Sequence, residues 1–249
     1  MSDAPLSLSI VVPVLNEAAG IAAALRRLAP LRALGAEVIV VDGGSHDATR
    51  ELAKPHADRL LTAPRGRAAQ MNAGAALAHG DVLLFLHADT YLPADAHHRM
   101  TDALQDRTHV WGRFDVRIES RHRLLRVVAT LMNLRSRISG VATGDQAIFV
   151  ARRAFAQVAG FPAIALMEDI ALSKRLRRLS PPACIGAAVV TSGRRWEARG
   201  VWRTIALMWG LRLAYVCGVA PATLARWYGS LPANSAALQQ ERRSDGLPR

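Results

Sequence analysis

Three apolar runs in this chain end abruptly in polar residues able to do chemistry. Ser7 to Val14 runs into Leu15-Asn16-Glu17, Ala36 to Val41 into Asp42-Gly43-Gly44-Ser45, and Asp81 to Leu86 into His87-Ala88-Asp89-Thr90. In an open parallel sheet, ligands bind just beyond the carboxyl ends of the strands, so these are the positions to read first. Asp42 can accept hydrogen bonds from a base or a ribose, and the two glycines after it let a ligand approach the backbone closely. A lone Val-Asp-Gly-Gly would as readily cap its own turn. The missing GxGxxG pattern argues against a dinucleotide site. Asp89 offers an oxygen ligand to a hard cation such as magnesium or manganese facing a diphosphate, and a neighbouring imidazole at His87 would favour manganese. The alternative for this tripeptide is an Asp89 that caps a turn beside a buried, satisfied His87.

Further along, Arg65-Gly66-Arg67 precedes a helix carrying Gln70, Asn72 and Gly74. Arginines near a helix N-terminus favour bound anions, so a nucleotide contact is expected there. Glu168-Asp169 opens another helix, where the backbone dipoles keep carboxylates ionised and ready to accept a proton. Thr191-Ser192-Gly193-Arg194-Arg195-Trp196 closes the last apolar run with two guanidinium groups for phosphate and an indole for stacking on a ring. Taken singly, each of these has an ordinary structural role: basic loop, stabilising first-turn acid, surface arginine.

The elements that must hold these residues alternate between strand-length apolar runs and segments of helical period, the order of a parallel sheet wrapped by helices. Strands are expected at 7–14, 36–41, 59–62, 81–86 and 185–190, and a half-exposed strand at 110–118. Helices are expected at 16–28, capped by Asn16, then from Ser45 or Asp47 to Ala53, at 68–78, from Pro93, and at 124–138, 168–179 and 199–219. Val141 to Val150 brackets a polar Gly144-Asp145-Gln146. The fold expected is one α/β, Rossmann-like domain with a mostly parallel sheet over residues 7–196, a helical extension over 197–232, and a disordered tail over 233–249.

Composition narrows the partners. The 249 residues carry a formal charge of +12, nearly all of it arginine, since lysine occurs only at Lys54 and Lys174. Nucleic acid, an acidic membrane face and a phosphate-bearing substrate would all suit that charge. Cys184 and Cys217 are far apart, which suggests neither a disulfide framework nor a zinc site and fits a reducing compartment. The N-terminal run reads as a strand rather than a signal peptide, and no apolar run reaches membrane-spanning length. A cytoplasmic protein is expected, peripheral at the inner membrane face if the helix bearing Trp202, Arg203, Trp209, Arg212 and Tyr215 rests on lipid.

In order and at compatible spacing, PVLNE at 13–17, VDGGSHDAT at 41–49, RGRAAQMNAG at 65–74, FLHAD at 85–89 and MEDIAL at 167–172 closely resemble family-2 glycosyltransferases. WGRFDV, MNLRS, TGDQAIF and TSGRRWE resemble a bacterial subgroup usually named arsenosugar-biosynthesis-like. The resemblance spans roughly residues 7 to 196. It implies a nucleotide-diphospho-sugar transferase domain of the GT-A type acting with inversion. Pro13, Asn16, Glu17, Asp42, Arg65, Asn72 and His87 would meet the nucleotide, and Asp89 would hold a divalent metal, Mg2+ or Mn2+. Asp169, with Glu168 beside it, would be the general base. Gly144, Asp145, Gln146 and Trp196 would face acceptor or donor sugar, and Arg194 and Arg195 would grip phosphate. Partners would be a nucleoside-diphosphate-sugar and an unidentified acceptor, small molecule or lipid. The family's usual Asp-x-Asp is His-Ala-Asp here, so the first carboxylate is missing.

Two other readings compete. A sugar nucleotidyltransferase would need a glycine-rich basic loop directly after the first strand, where this chain has Leu15-Asn16-Glu17. A non-catalytic nucleic-acid-binding protein would use the charge, but the rim carboxylates would repel a phosphate backbone, so nucleic acid is disfavoured.

Overall fold

The computed structural model describes residues 6–105 and 108–229, and the tail read as disordered, 233–249, lies outside the described residues. Eight strands form one sheet: β1 (Leu8–Val14), β2 (Glu37–Asp42), β3 (Arg59–Thr62), β4 (Val82–Phe85), β5 (Thr90–Tyr91), β6 (Trp111–Glu119), β7 (Phe149–Ala151) and β8 (Ala183–Ser192). Their order is β3-β2-β1-β4-β7-β6-β8-β5. The β3-β2-β1-β4 half is parallel throughout, as expected. The other half is mixed, with β7 antiparallel to both β4 and β6, β5 antiparallel to β8, and β6 parallel to β8.

The helices are α1 (Ile21–Arg26), α2 (Ala29–Ala33), α3 (Thr49–Ala53), α4 (Arg67–Leu77), α5 (Ala96–Gln105), α6 (Leu124–Ser139), α7 (Arg152–Gln157), α8 (Glu168–Leu176), α9 (Arg194–Arg199), α10 (Val201–Val216) and α11 (Pro221–Gly229). Both faces of the sheet are covered, which is why its central strands are continuous apolar runs. Ile10, Val12, Val38, Val40 and Leu84 pack into one core, while Val11, Ile39, Val41, Leu83 and Phe85 pack into the other. That is the two-residue alternation of a strand, and each such side chain contributes about 1.5–3 kcal/mol by leaving water.

Helix α4 lies on β1 and β2 with almost no clearance. A Cβ placed on Gly74 would come within 2.4 Å of Val11 Cγ1 and 3.0 Å of Val41 Cγ2. One turn earlier on the same face, Gln70 Nε2 donates to the carbonyls of Val14 (2.9 Å) and Val41 (2.8 Å), bolting the ends of β1 and β2 together.

Three expectations need correction. Asn16 does not cap a helix: it takes a left-handed conformation (φ 53) and α1 starts only at Ile21, after Gly20. Its backbone N–H donates to Ser45 Oγ and its side chain accepts from His46 N, tying the two rim loops together. Strand β6 is half-exposed only in its second half, where Val116 and Ile118 are buried and Arg117 and Glu119 exposed; Trp111 to Phe114 are enclosed, with β7 and β8 on either side. The helix expected over 199–219 is α10, Val201–Val216, and a separate short helix, α9, precedes it, the two being divided at Gly200, whose φ of 84 suits glycine and no helix.

The WGRFDV and MNLRS segments brace this second half. Arg113 is fully buried, and its charge is met by Asp115 and by the Asn133 carbonyl at 3.3 Å. Asp115 also holds Arg137 at 2.6 Å. Asn133 pairs with the Val116 backbone like an adjoining strand, accepting at 2.8 Å and donating at 3.0 Å. Removing one partner of such a buried pair costs about 3–5 kcal/mol.

Candidate active site

A two-lobed cleft opens at the carboxyl ends of β1 and β4, where the strand order reverses. The larger lobe has a volume of about 660 Å³ and is walled by Pro13, Glu17, Arg65, Arg67, Gln70, His87 and Asp89, among others. The smaller, about 140 Å³, is walled by Asp145, Asp169, Trp196, Met208, Leu211 and Arg212, among others. Arg67, Asp89, Leu166, Glu168 and Tyr228 border both lobes. Asp89 therefore stands at the junction, half-buried at the end of the β4 run.

Of the residues expected to meet a nucleotide, Pro13, Glu17, Arg65 and His87 line the larger lobe. Asp42, Asn16 and Asn72 do not appear on its wall. The Asp42 carboxylate is buried and turned into its own loop, accepting from Gly44 N (3.1 Å) and Ser45 N (3.1 Å), with Arg50 at 3.5 Å. Burial alone would raise its pKa; the hydrogen bonds from Ser45 and Gly44, with Arg50, hold it below the usual carboxylate value. Asn72 stitches α4 to the following loops, donating to Phe161 O at 2.8 Å and accepting from Phe161 N at 2.9 Å.

His87, in the place of a first aspartate, faces Asp145 across 3.3 Å through Nδ1. Its Nε2 lies under the next turn so closely that a Cβ on Gly144 would meet it at 2.5 Å. The same Gly144 donates its N–H to Asp169 Oδ2 at 2.8 Å. One short turn thus links the end of the β4 run to the carboxylate of Asp169 on α8. Gln146 is fully buried and braces that turn, accepting from Thr143 N, and it lines neither lobe.

Met167 precedes α8 in a left-handed conformation (φ 69), unusual for a side chain of this size and typical of strained functional turns. It delivers Glu168 and Asp169 to the first turn of the helix. Burial, then the charge of Asp169, raises the pKa of Glu168, with Arg67 opposing. Arg67 borders both lobes; crowding works against its charge, although the side chain keeps solvent contact, and Glu168, Asp145, Tyr228 and Asp169 together hold its pKa above the ordinary value.

Trp196 lines the smaller lobe. Arg194 does not line either lobe: its Nε donates to Ser192 Oγ at 3.1 Å, and the Arg195 side chain lies outside what the structure describes. In the sequence Arg67 and Gln70 stand out only as parts of a basic loop and its helix, and Arg212 only as a charge on the last long helix; the cleft brings all three to its walls. The first two share a helix face with Gly74, at spacings of three and four, and that register was the available signal.

The crevice thus lies at a strand-order reversal, with the carboxylates of Asp89 and Glu168 on the wall between its lobes and Asp169 beside them, the position at which open α/β sheets bind their ligands. The family model for glycosyl transferase family 2 matches residues 9–156, and the chain belongs to that family. The acidic pair on α8 lies beyond the matched span. Among curated relatives, the undecaprenyl-phosphate 4-deoxy-4-formamido-L-arabinose transferase of Pseudomonas paraeruginosa is 34% identical over 159 residues, 58% of this chain and 46% of that protein. Its Aeromonas hydrophila namesake is 33% identical over 115 residues, 42% and 35% of the two chains. The chain spans less than half the length of these relatives.

Solved structures share the fold. Staphylococcus aureus TarS 1-349 with UDP-GlcNAc superposes at a TM-score of 0.63 with 16% identity, covering 75% of this chain and 58% of that one. The mannosyltransferase PcManGT of Pyrobaculum calidifontis, in complex with GDP-Man and Mn2+, gives 0.59 with 20% identity, covering 99% and 78%.

Proposed function

We propose that this chain transfers a sugar from a nucleoside-diphosphate-sugar to an acceptor, with inversion at the anomeric carbon. The observation that carries the reading is Asp89 on the wall between a nucleotide-sized lobe and a smaller one holding Asp169. The donor nucleotide lies in the larger lobe against Pro13, Glu17, Arg65 and Gln70, which puts its sugar at the junction. Asp169 takes the proton of the acceptor hydroxyl. The acceptor oxygen bonds to the anomeric carbon as the bond to the diphosphate oxygen breaks, and the electron pair leaves with the diphosphate. The bond from Gly144 N holds the Asp169 carboxylate in place. Arg67, beside both lobes, offsets negative charge developing on the leaving group.

The donor set fits a divalent cation. Among the described residues no cluster of three His, Cys, Asp or Glu side chains forms a ready-made metal cage. A single carboxylate, completed by diphosphate and water, is how magnesium and manganese are usually held. Asp89 would hold it, and when bound it would offset the charge of the departing diphosphate. With Nδ1 of His87 facing Asp145, the imidazole gives no reason to prefer manganese. The Mn2+ of the Pyrobaculum structure and the Mg2+ of a mycobacterial glucosyl-3-phosphoglycerate synthase structure support either ion.

Residence on a membrane surface is the second part of the reading. No helix among the described residues is long and apolar enough to cross a membrane. Yet α10 exposes Trp202, Trp209, Leu213 and Val216, and α6 exposes Val127, Leu131, Leu134 and Ile138 at helical spacing. Apolar stripes on an arginine-rich protein suit an anionic lipid face, and two relatives are named for undecaprenyl phosphate. The arsenosugar-biosynthesis-like subgroup is proposed on its four segments alone.

The test is release of nucleoside diphosphate from a panel including UDP-GlcNAc and GDP-mannose. Asp169→Asn should slow it by about 10²–10⁴-fold; an unchanged rate would remove Asp169 from the chemistry. Flotation with anionic but not neutral vesicles, weakened in Trp202→Ser/Trp209→Ser, tests the membrane part, and equal recovery with both vesicle types would contradict it.

A further inference from the structure

The last described helix, α11, contributes nothing to the transfer step proposed above, yet it forms part of the cleft's wall. Ala225 lines the larger lobe and Tyr228 borders both. The approach of α11 is set locally. Helix α10 ends in a Schellman turn, in which Val219 N donates to Ala214 O at 2.9 Å and Gly218 N to Tyr215 O at 3.1 Å. Gly218 takes the left-handed conformation that such a turn needs (φ 88), and Pro221 opens the next helix, so the chain turns back onto α10. Leu224 is then fully buried in an apolar cluster with Val141, Met167, Ile170 and Leu211, separate from the two cores of the sheet. Met167 and Ile170 flank Glu168 and Asp169, so the contact that seats α11 also braces the turn delivering the acidic pair. Tyr228, one turn beyond Leu224 on the same side of the helix, rests against this cluster and stays only half-buried, with the rest of its side chain at the junction of the lobes.

Whatever spans the two lobes must pass the residues that border both. Of these, Arg67, Asp89 and Glu168 are ionisable and Leu166 is apolar, so Tyr228 alone among them brings a neutral hydroxyl. A phenol donates a hydrogen bond to an anionic oxygen without adding charge, which suits a phosphate already facing a cation and a guanidinium. With the nucleotide in the larger lobe and its sugar at the junction, the group passing Tyr228 is the sugar-bearing phosphate of the donor. Resting on that donor placement, we propose that Tyr228 is a donor-binding residue, its hydroxyl donating to the phosphate from which the sugar departs, so that the C-terminal helix completes the active site. Negative charge builds on that phosphate as the bond to the sugar breaks, so the hydrogen bond strengthens as the reaction proceeds.

The experiment is calorimetric titration of the full chain, with Mn2+ present, using UDP, UMP, GDP and GMP. Wild type is compared with Tyr228→Phe, which keeps the ring and its packing, with Tyr228→Ala, and with Trp227→Ala, an exposed neighbour on α11 that lines neither lobe. The quantity read is the ratio of diphosphate to monophosphate affinity for the base that binds. A loosened fold weakens both nucleotides alike and leaves that ratio unchanged. The expected result is a ratio lowered about tenfold in Tyr228→Phe, as for the loss of a hydrogen bond to a charged group, at least as low in Tyr228→Ala, and within about twofold of wild type in Trp227→Ala. An unchanged ratio in Tyr228→Phe would overturn the proposal: with both affinities intact the hydroxyl meets no phosphate, and with both reduced its role is structural. A ratio that falls as far in Trp227→Ala would overturn it too, by assigning the effect to the helix as a whole. A wild type that binds no nucleotide would instead refute the donor site on which the proposal rests.

Discussion

Substituting Gly74 tests how tightly the site's scaffold is built. Alanine normally stabilises a helix interior over glycine by about 0.5–1 kcal/mol. At position 74 the new methyl would sit 2.4 Å from Val11 Cγ1 and 3.0 Å from Val41 Cγ2, against an ordinary contact of 3.4–4 Å. Both valines are fully buried strand residues and cannot swing away. Overpacking of this kind costs about 1–3 kcal/mol, so Gly74→Ala should lose about 1–2 kcal/mol net. For a chain of this size that lowers the melting midpoint by about 2–8 °C. Gly210, in the middle of α10 with nothing within 4 Å of a new Cβ, is the internal control; Gly210→Ala should raise the midpoint by a few degrees. Differential scanning calorimetry of the two variants reads the sign directly. Because α4 also carries Arg67 and Gln70 to the cleft, the shifted helix should weaken nucleotide binding as well. A Gly74→Ala protein that melts as high as Gly210→Ala would refute the close docking of α4 on β1 and β2.

Two further substitutions probe the acidic pair. Gly144→Ala must move its turn by roughly 1 Å to clear His87, breaking the 2.8 Å bond to Asp169; misplacement on that scale can cost about 10²-fold in rate. The prediction is that kcat for donor turnover falls by about that factor, and full activity would deny the turn its positioning role. Glu168 holds its proton to higher pH folded than unfolded, because of burial and then Asp169. Its contribution to stability is therefore complete below the unfolded value, about 4.3, and is lost as pH rises through the raised folded value. Glu168→Gln should flatten that part of the melting profile and be no less stable than wild type at pH 8. A Glu168→Gln protein that loses more stability at pH 8 than at pH 5 would contradict it.

How much was legible in the sequence depended on whether the cause was local. Strands β1, β2 and β4 could be read because a strand buried on both faces must be continuously apolar, and their polar ends pointed to the rim. The enclosure of the first half of β6 was not legible, since it comes from β7 and β8, which are distant in the chain. Asn16 looked like a helix cap because its type suits one, but its partners are Ser45 and His46 on another loop. On α4, residues two apart lie roughly 200° around the helix. Asn72 therefore faces Phe161 while Gln70 faces the rim, and only the phase set by Gly74 tells them apart. The His-Ala-Asp departure also reads differently in three dimensions: His87 supports the turn that positions Asp169.

The most direct test of the central claim is calorimetric titration with UDP and GDP, with and without Mn2+, on wild type and Asp89→Ala. The account predicts that one nucleotide binds in a metal-dependent way and that Asp89→Ala loses the metal dependence while remaining folded. Metal-dependent binding that survives Asp89→Ala, or no nucleotide binding under any condition, would contradict it.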